Sequence, residues 1–326
     1  MSILVTGAAG FIGFHTAKAL LERGDRVIGI DNLNDYYEVG LKEARLEQLR
    51  AYPAFRFVRL DIADRDRVLA VIAGLREITG IIHLAAQAGV RHSLAEPCVY
   101  VDANVMGTLV MLEAARRIER LTGITYASSS SVYGANDKQP YSVEDRVDRP
   151  VSLYAATKRC CELIAYAYSR LYGLPATGLR FFTVYGPWGR PDMAAYRFTR
   201  AILAGQPIEV FNGGHMARDF TYIDDVVEGT IAAHDRPPAP QDGVRHRLYN
   251  LGNHRPENLL DFIAALERAL GRTANKTLLP MQLGDVAETF ADIEESRRDL
   301  GFAPKTRIED GLARFVAWYK AYHRVE

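Results

Sequence analysis

The sequence of 326 residues offers little to hold a metal, a membrane or a nucleic acid. Its three cysteines, Cys98, Cys160 and Cys161, lack metal-ligand spacing, so we expect buried free thiols and no metal site. Forty basic and 40 acidic residues leave no net charge to attract nucleic acid. No apolar run approaches membrane-spanning length, and the first residues enter a strand rather than a signal peptide. We expect a cytoplasmic protein without membrane or nucleic-acid partners.

The first half of the chain alternates predicted strands with predicted helices. The strands are expected at residues 3–6, 26–31, 55–60, 81–85, 124–128 and 176–181. The main helices are expected at residues 11–22, 41–50, 97–121 and 154–172. This alternation predicts an α/β protein with a Rossmann-type, doubly wound parallel sheet. Such a sheet binds its ligand beyond the carboxyl ends of the strands.

The second half loses this alternation after residue 182, where glycine and proline become frequent. Strands near 208–211 and 248–251, with helices near 258–270 and 308–322, predict a smaller mixed α/β lobe that binds substrate. We divide the chain into a dinucleotide-binding domain at residues 1–180 and a lobe at residues 181–326. We also expect the chain to return in part to the first domain after residue 215.

A glycine-rich turn directly follows the first predicted strand and opens the first helix. Its residues are Gly7, Gly10, Phe11, Ile12 and Gly13. The glycines permit a tight turn, and the free amides of the helix N-terminus attract a pyrophosphate. A bare glycine trio would equally suit a flexible turn without a ligand. Its position between a strand and a helix favours dinucleotide binding.

Two aspartates end the next two strands. Asp31 stands 18 residues after Gly13, where a carboxylate accepts both hydroxyls of an adenosine ribose. Because this carboxylate would repel a 2′-phosphate, it favours NAD over NADP. Asp61 ends the third strand, where it could reach the adenine amino group or cap the following helix.

A general base is predicted from the pair Tyr154 and Lys158. Four residues apart on a helix, the two side chains share a face, and an ammonium beside a phenol stabilises the phenolate. A serine cluster, residues 128–131, follows the fifth strand. The same Tyr-x-x-x-Lys spacing occurs on ordinary surface helices, so the pair alone is weak evidence of catalysis.

Taken together, these motifs resemble the extended short-chain dehydrogenase/reductase family, in its nucleotide-sugar epimerase branch. The resemblance spans essentially the whole chain and includes the segments at residues 84–86, 218–225 and 284–292. It implies that Ser129, Tyr154 and Lys158 are catalytic. It further implies that NAD contacts the glycine turn together with Asp31, Asn32, Asp61, Ile62, Leu84, Ala85, Ala86, Asn104, Tyr154 and Lys158.

The segment at residues 180–193 is similar to that of UDP-glucuronate 4-epimerases, whereas UDP-galactose 4-epimerases usually carry asparagine at the position of Thr183. A uronic acid brings a carboxylate that a neutral hexose lacks. We expect it to bind among hydroxyl and guanidinium donors, namely Ser128, Ser129, Ser130, Thr183 and Arg190. Arg190 could instead be a surface-loop arginine.

Contacts to the rest of the nucleotide sugar follow from the same resemblance. Arg218 resembles a diphosphate-binding arginine, Asp285 could reach the uridine ribose, and residues 208–211 are expected to pack against uracil. Gln282 stands where the galactose enzymes carry a second phosphate-binding arginine, so that contact is left open. Relatives dimerise through the helices near residues 97–121 and 154–172, so we expect a homodimer.

The residues after Ser129 bear on the reaction. Sugar 4,6-dehydratases place Asp-Glu there, and UDP-xylose-forming decarboxylases place glutamate just before Val-Tyr-Gly. This chain has Ser130 and Ser131, which supply neither a ready acid nor a ready base. The sequence therefore predicts NAD-dependent 4-epimerisation of UDP-glucuronate. A 4-epimerase of a neutral UDP-hexose or UDP-N-acetylhexosamine, a UDP-glucuronate decarboxylase and a non-catalytic dinucleotide-binding regulator remain alternatives.

Overall fold

A computed structural model describes residues 1–281 and 286–325. In that part of the chain the strands are β1 Ser2–Thr6, β2 Arg26–Asp31, β3 Phe55–Arg59, β4 Gly80–His83, β5 Ile124–Ser129, β6 Ala176–Phe181, β7 Thr183–Tyr185, β8 Ile208–Phe211, β9 Ala217–Tyr222, β10 His246–Leu251, β11 Pro256–Asn258 and β12 Lys276–Leu279. Seven of them form one parallel sheet in the order β10-β6-β5-β4-β1-β2-β3.

The α-helices pack around these strands. They are α1 Phe11–Glu22, α2 Val39–Arg50, α3 Arg65–Ala73, α4 His92–Ala95, α5 Pro97–Tyr100, α6 Gly107–Ala115, α7 Leu153–Tyr172, α8 Ala194–Leu203, α9 Ile223–Asp235, α10 Leu259–Leu270 and α11 Ile308–His323. A π-helical segment, Val101–Met106, joins α5 to α6, and a 3-10 turn, Ser130–Tyr133, follows β5.

Successive side chains of each strand in the large sheet point to opposite sides, and both sides are buried. Ile3 and Val5 of β1 pack on one side with Phe14 of α1. Leu4 packs on the other side with Val110 of α6. Two helical layers thus cover an almost continuous apolar strand, as the doubly wound architecture requires.

The smaller lobe consists of two short sheets. One has the order β11-β9-β7 and the other pairs β12 with β8. The strand expected near 248–251 does not belong to this lobe. It is part of β10, which pairs with β6 as the seventh strand of the large sheet. Residues 223–251 therefore supply strand β10 to the large sheet and helix α9 to the layer that packs on it.

The long helix expected at residues 97–121 is shorter and irregular, since it ends at Ala115 and contains the π-helical segment. The run Pro97–Ala115 is long and apolar enough by composition to span a membrane, contrary to our expectation for this chain, but half of it is buried inside the fold. A helix in the core of a folded protein can have the same length and apolar composition. Cys161 is buried and Cys160 half-buried, but Cys98 is exposed, which corrects the expectation of three buried thiols.

Candidate active site

A cavity of about 850 Å³ lies at the carboxyl ends of the large sheet's strands, between that sheet and the smaller lobe. All the predicted site residues in the described part of the chain line it except Asn104. Those residues are Gly7, Gly10, Phe11, Ile12, Gly13, Asp31, Asn32, Asp61, Ile62, Leu84, Ala85, Ala86, Ser128, Ser129, Ser130, Tyr154, Lys158, Thr183, Arg190 and Arg218. Asp285 and Gln282 lie outside the described residues.

The glycine turn is a cradle that a side chain would fill. Gly7 has φ +72°, and a Cβ there would lie 2.8 Å from the backbone nitrogen of Ala85. A Cβ at Gly13 would lie 2.0 Å from the Gly7 carbonyl oxygen. No side chain caps the N-terminus of α1, whose first amides are therefore open to an anion. This geometry fits the pyrophosphate of NAD.

Asp31 is held rigidly at the end of β2. Its two carboxylate oxygens accept backbone hydrogen bonds from Ala9, at 3.1 Å, and Leu33, at 2.9 Å. Burial raises the pKa of Asp31, and these donors and the nearby Lys42 oppose the increase. Each oxygen keeps a further acceptor site, so the carboxylate can take both hydroxyls of a ribose.

Asp61 is anchored at the end of β3. It accepts hydrogen bonds from Asn32 Nδ2 and from the Ala63 backbone nitrogen, both at 2.9 Å. The cap of α3 is instead Asp64, which accepts from the Arg67 backbone nitrogen. The helix-capping alternative for Asp61 is therefore excluded. Asn32 orients the Asp61 carboxylate at the cavity wall.

Asn104 does not face the cavity, which corrects its assignment as a cofactor contact. Its Oδ1 accepts from the Gln87 backbone nitrogen at 2.8 Å. Its Nδ2 donates to the Gln87 carbonyl oxygen and to Thr157 Oγ1, both at 3.1 Å. Both amide hydrogens and one acceptor position of the oxygen are used in joining the loop after β4 to α7. Asn104 thus fixes the position of Gln87, which lines the cavity.

Helix α7 presents Tyr154 and Lys158 to the cavity. Ser152 caps this helix by accepting from the Ala155 backbone nitrogen at 3.1 Å, which places Tyr154 in the first turn. Lys158 is buried, and its ammonium donates to the Ala127 carbonyl oxygen at 2.9 Å. The lysine therefore ties the helix of the predicted base directly to β5.

The serines after β5 have different environments. Ser129 Oγ accepts from the Ser131 backbone nitrogen at 3.2 Å and donates to Ser131 Oγ at 3.1 Å, which caps the 3-10 turn. A rotation of this hydroxyl would redirect its proton into the cavity. Ser128 is buried, and its only proton is donated to Glu162 Oε1 at 2.6 Å. Ser128 therefore cannot donate to a sugar carboxylate as expected.

Arg190 lines the cavity, so it is not a surface-loop arginine, but its charge has a partner. Its guanidinium donates to both carboxylate oxygens of Asp192, at 3.0 and 2.7 Å. Burial opposes ionisation of Asp192, but Arg190 outweighs it and holds the pKa of the carboxyl below its ordinary value. Tyr36 Oη also donates to Asp192, at 3.2 Å. Hydrogen bonds thus link the loop after β2 to the segment after β7 at the cavity wall.

The far end of the cavity is lined by the lobe. Arg218 of β9 donates to the carbonyl oxygens of Ala217 and Ala287, at 3.1 and 3.0 Å. The Arg91 guanidinium lies over the Phe211 ring, 5.0 Å from its centroid. An aromatic face and two guanidinium groups therefore line this end of the cavity, a combination that suits a flat ring and an anionic group.

Sequence reasoning missed many residues that line the cavity. Four of them with polar side chains are Tyr36, Gln87, Arg91 and Asp192. Position was the available signal for three of them. Gln87 and Arg91 follow β4, and Tyr36 follows β2, at the sheet edge where such folds bind ligands. Asp192 lies in the segment 180–193 that carried the resemblance, but no role was assigned to it there. Among residues 1–281 and 286–325, no cluster of His, Cys, Asp and Glu is arranged to hold a metal ion.

The fold and cavity define a dinucleotide-dependent enzyme of the short-chain dehydrogenase/reductase type. A family model described as the NAD dependent epimerase/dehydratase family matches residues 3–252, and the chain belongs to this family.

Individual relatives are similar over nearly the whole length of this chain. A probable UDP-glucuronate 4-epimerase of Rhizobium meliloti strain 1021 is 47% identical, over 99% of this chain and 98% of that protein. UDP-glucuronate 4-epimerase 4 of Arabidopsis thaliana is 47% identical, over 99% of this chain and 76% of that protein. The crystal structure of UDP-glucuronic acid 4-epimerase from Bacillus cereus with UDP-glucuronic acid and NAD has a TM-score of 0.90 and 36% identity, covering 99% of this chain and 100% of that one.

Proposed function

We propose that this protein converts UDP-glucuronate to UDP-galacturonate by NAD-dependent epimerisation at carbon 4. The relatives named as UDP-glucuronate 4-epimerases support this proposal. The observation that carries it is the meeting of Tyr154, Lys158 and Ser129 in a cavity that Thr183 and Arg190 also line. Hydroxyl and guanidinium donors there suit a carboxylate on carbon 5 of the sugar.

The side chains divide the chemistry among them. Bound NAD supplies a reversible hydride acceptor at carbon 4 of the sugar. Tyr154 takes the proton of the 4-hydroxyl and later returns it. Ser129 donates a hydrogen bond to the same oxygen as it becomes a carbonyl. Lys158 is fixed by the Ala127 carbonyl oxygen, so its ammonium stays one helix turn from Tyr154, on the same face of α7.

The 4-keto form of a uronate is a β-keto acid and loses carbon dioxide readily. Elimination across carbons 5 and 6 of the sugar, which the sister enzymes catalyse from the same intermediate, would require an acid and a base near those carbons. The cavity offers Ser130 and Ser131 where the dehydratases and decarboxylases carry carboxyl groups. The intermediate is therefore returned to a uronate after it rotates and presents its other face.

The nucleotide end of the substrate is assigned to the lobe. Arg218 binds the diphosphate, and the Phe211 ring with its neighbours packs against uracil. The carboxylate contacts are Ser129, Ser130, Thr183 and Arg190. Ser128 is left out because its hydroxyl proton is donated to Glu162.

A cytoplasmic homodimer is also part of the proposal. Leu163, Tyr166 and Leu171 of α7 and Met106 beside α6 are large apolar side chains that are exposed in the single chain. Pairing α6 and α7 with their copies would cover them in a four-helix interface. Light scattering coupled to gel filtration tests this, and a monomer at micromolar concentration would contradict it. The zero net charge suits a protein without nucleic-acid or membrane partners.

The proposed reaction is tested by incubating the purified protein with UDP-glucuronate and separating the products. UDP-galacturonate is expected. UDP-xylose would indicate a decarboxylase, activity on UDP-galactose or a UDP-N-acetylhexosamine alone would indicate a neutral-sugar epimerase, and no turnover of any of them would indicate a non-catalytic protein.

The base is tested with Tyr154→Phe, which removes one hydroxyl. We expect turnover to fall by at least about 10³-fold, since proton transfer is lost, while NAD remains bound. Tyr52→Phe is the matched control, because the Tyr52 hydroxyl donates to Glu22 at the surface, away from the cavity and from the proposed interface. Full activity in the Tyr154 variant would refute the assignment.

A further inference from the structure

Beneath the predicted catalytic serine lies a buried polar network centred on Glu162. Arg180 donates to both of its carboxylate oxygens, from Nε at 2.8 Å and from Nη2 at 3.0 Å. Ser128 Oγ donates to Oε1, and Arg159 donates to Oε2 at 2.8 Å. Burial opposes ionisation of Glu162, but these donors outweigh it and hold the pKa of the carboxyl below its ordinary value. Glu162, Arg180 and Ser128 are buried, whereas Arg159 reaches solvent, and none of the chemistry described above uses this network.

The network joins α7 to β5 in register. Tyr154, Lys158 and Glu162 are spaced by four residues, so they follow one face of the helix. Lys158 contacts the carbonyl of Ala127, and Glu162 contacts the hydroxyl of the next residue, Ser128. Two consecutive contacts fix both the height and the rotation of the helix against the strand. The residue after them is Ser129.

Arg180 extends the same constraint to the serine turn. It lies on β6, directly opposite Ser128 in the strand register. Its Nη1 donates to Tyr133 Oη at 3.1 Å, and Tyr133 Oη donates to Asn250 Oδ1 at 2.7 Å. Tyr133 ends the 3-10 turn that starts at Ser130. Both ends of the segment that carries the cavity serines are therefore held by this network.

Fold stability alone gives little reason for such an arrangement. Removing two charges from water is unfavourable, and an apolar pair of similar volume is often as stabilising as a buried ion pair or more so. A charged pair differs from an apolar pair in directionality, because hydrogen bonds of fixed length specify one relative position.

We propose that Glu162, Arg180 and Ser128 are positioning residues that set the separation of the Ser129 and Tyr154 hydroxyls. The inference rests on the proposed function, in which both hydroxyls act on the same sugar oxygen. Chemistry of this kind is sensitive to position, since a displacement of about 1 Å can lower the rate roughly 100-fold. Substrate and cofactor contacts elsewhere in the cavity are independent of this separation.

The experiment compares Ser128→Ala with the apolar double variant Glu162→Leu/Arg180→Met. Ser169→Ala is the matched control, because Ser169 is a buried serine on α7 whose hydroxyl accepts from the Arg245 backbone, away from the cavity. For Ser128→Ala we expect kcat to fall roughly 10-fold, and for the double variant roughly 100-fold. KM and bound NAD should stay near wild type. The deuterium isotope effect with substrate labelled at carbon 4 should rise, because hydride transfer becomes more limiting.

Crystal structures of the variants provide a readout independent of activity. The distance between Ser129 Oγ and Tyr154 Oη should change in the double variant and stay the same in Ser169→Ala. A kcat and an isotope effect equal to those of the wild type in Ser128→Ala would overturn the inference. If the double variant fails to fold, the result for Ser128→Ala is sufficient to test it. Should the wild-type protein leave UDP-glucuronate unchanged, the proposed function fails, and the same variants are measured on the nucleotide sugar that it does turn over.

Discussion

Two arginine–carboxylate pairs flank the active site and differ in their surroundings. The floor pair, Glu162 and Arg180, lies under the serine strand with side chains 0% and 1% exposed. The edge pair, Arg190 and Asp192, lies at the cavity wall with side chains 22% and 32% exposed. Both pairs are bidentate, with all four donor–acceptor distances between 2.7 and 3.0 Å.

The difference shows how one interaction can serve opposite purposes. The floor carboxylate has additional donors from Ser128 and Arg159, so it has little capacity for a new partner. The edge pair is reached by solvent, and it lies where we place the substrate carboxylate. Exposed pairs contribute little stability and exchange partners readily, whereas breaking a buried pair leaves an uncompensated charge. The floor pair therefore holds the elements around it in one relative position, and the edge pair can exchange partners when a ligand binds.

The largest expected effect comes from breaking the floor pair on one side only. Arg180→Met leaves the Glu162 charge buried without its main partner, and we expect the free energy of unfolding to fall by about 3–5 kcal/mol. Adding Glu162→Leu should recover most of that loss. Denaturant unfolding of the two variants checks this. Equal stability of the single and double variants would contradict the description of the floor as a charge-compensated pair.

Acid should weaken the region of the floor before the edge. His246 lies beside the floor, with Nε2 2.8 Å from Tyr126 Oη, and burial lowers the pKa of His246 to about 4. Below pH 6.5 the unfolded chain binds a proton that the folded chain does not. At pH 5 this residue alone therefore lowers the free energy of unfolding by about 2 kcal/mol relative to pH 7.

The contribution of His246 is isolated with His246→Gln, which keeps a polar side chain but cannot titrate. The loss of stability from pH 7 to pH 5 should be smaller than in wild type by about 2 kcal/mol. Burial raises the pKa of Asp192, but Arg190 outweighs this effect and holds the pKa below its ordinary value. The edge pair therefore stays ionised at pH 5. Identical pH dependence in wild type and variant would contradict the assignment of a neutral, buried histidine.

The smallest effect is expected at the edge. Asp192→Asn removes the carboxylate that competes for Arg190, and it also removes a charge that repels a uronate. We expect KM for UDP-glucuronate to fall about 5-fold, which corresponds to about 1 kcal/mol, with a change in unfolding free energy below about 1 kcal/mol. A neutral UDP-hexose is the control substrate and should show no such change. An unchanged KM for UDP-glucuronate would indicate that Arg190 does not face the carboxylate.

The floor and the edge also differ in how far the sequence predicted them. The spacing of Tyr154, Lys158 and Glu162 on one helix face is a local property that follows from the helical repeat. The pairing of Glu162 with Ser128 and Arg180 depends on strands far apart in the chain, and no local pattern indicates it. At the edge, Arg190 was singled out by its motif, but its neutralisation by Asp192 was not.

Two errors have the same origin. Asn104 and Ser128 are polar residues near the cavity, and sequence reasoning assigned them to ligands. In the folded chain their hydrogen-bonding groups are already used, by Gln87 and Thr157 in one case and by Glu162 in the other. Buried polar groups take the nearest partner that the fold provides, and that partner is known only when distant elements have packed.

By itself, the sequence determined the parts that depend on local periodicity and backbone chemistry. These include the parallel sheet with its glycine turn and the placement of Tyr154 in the first turn of a helix. Only the tertiary structure decided that β10 is the strand with which the chain returns to the large sheet, and which partner each buried polar group takes. The physical reason is the separation along the chain of the interacting residues. Strand periodicity and turn geometry arise between near neighbours in sequence, whereas charge compensation in a core joins residues that only the fold brings together.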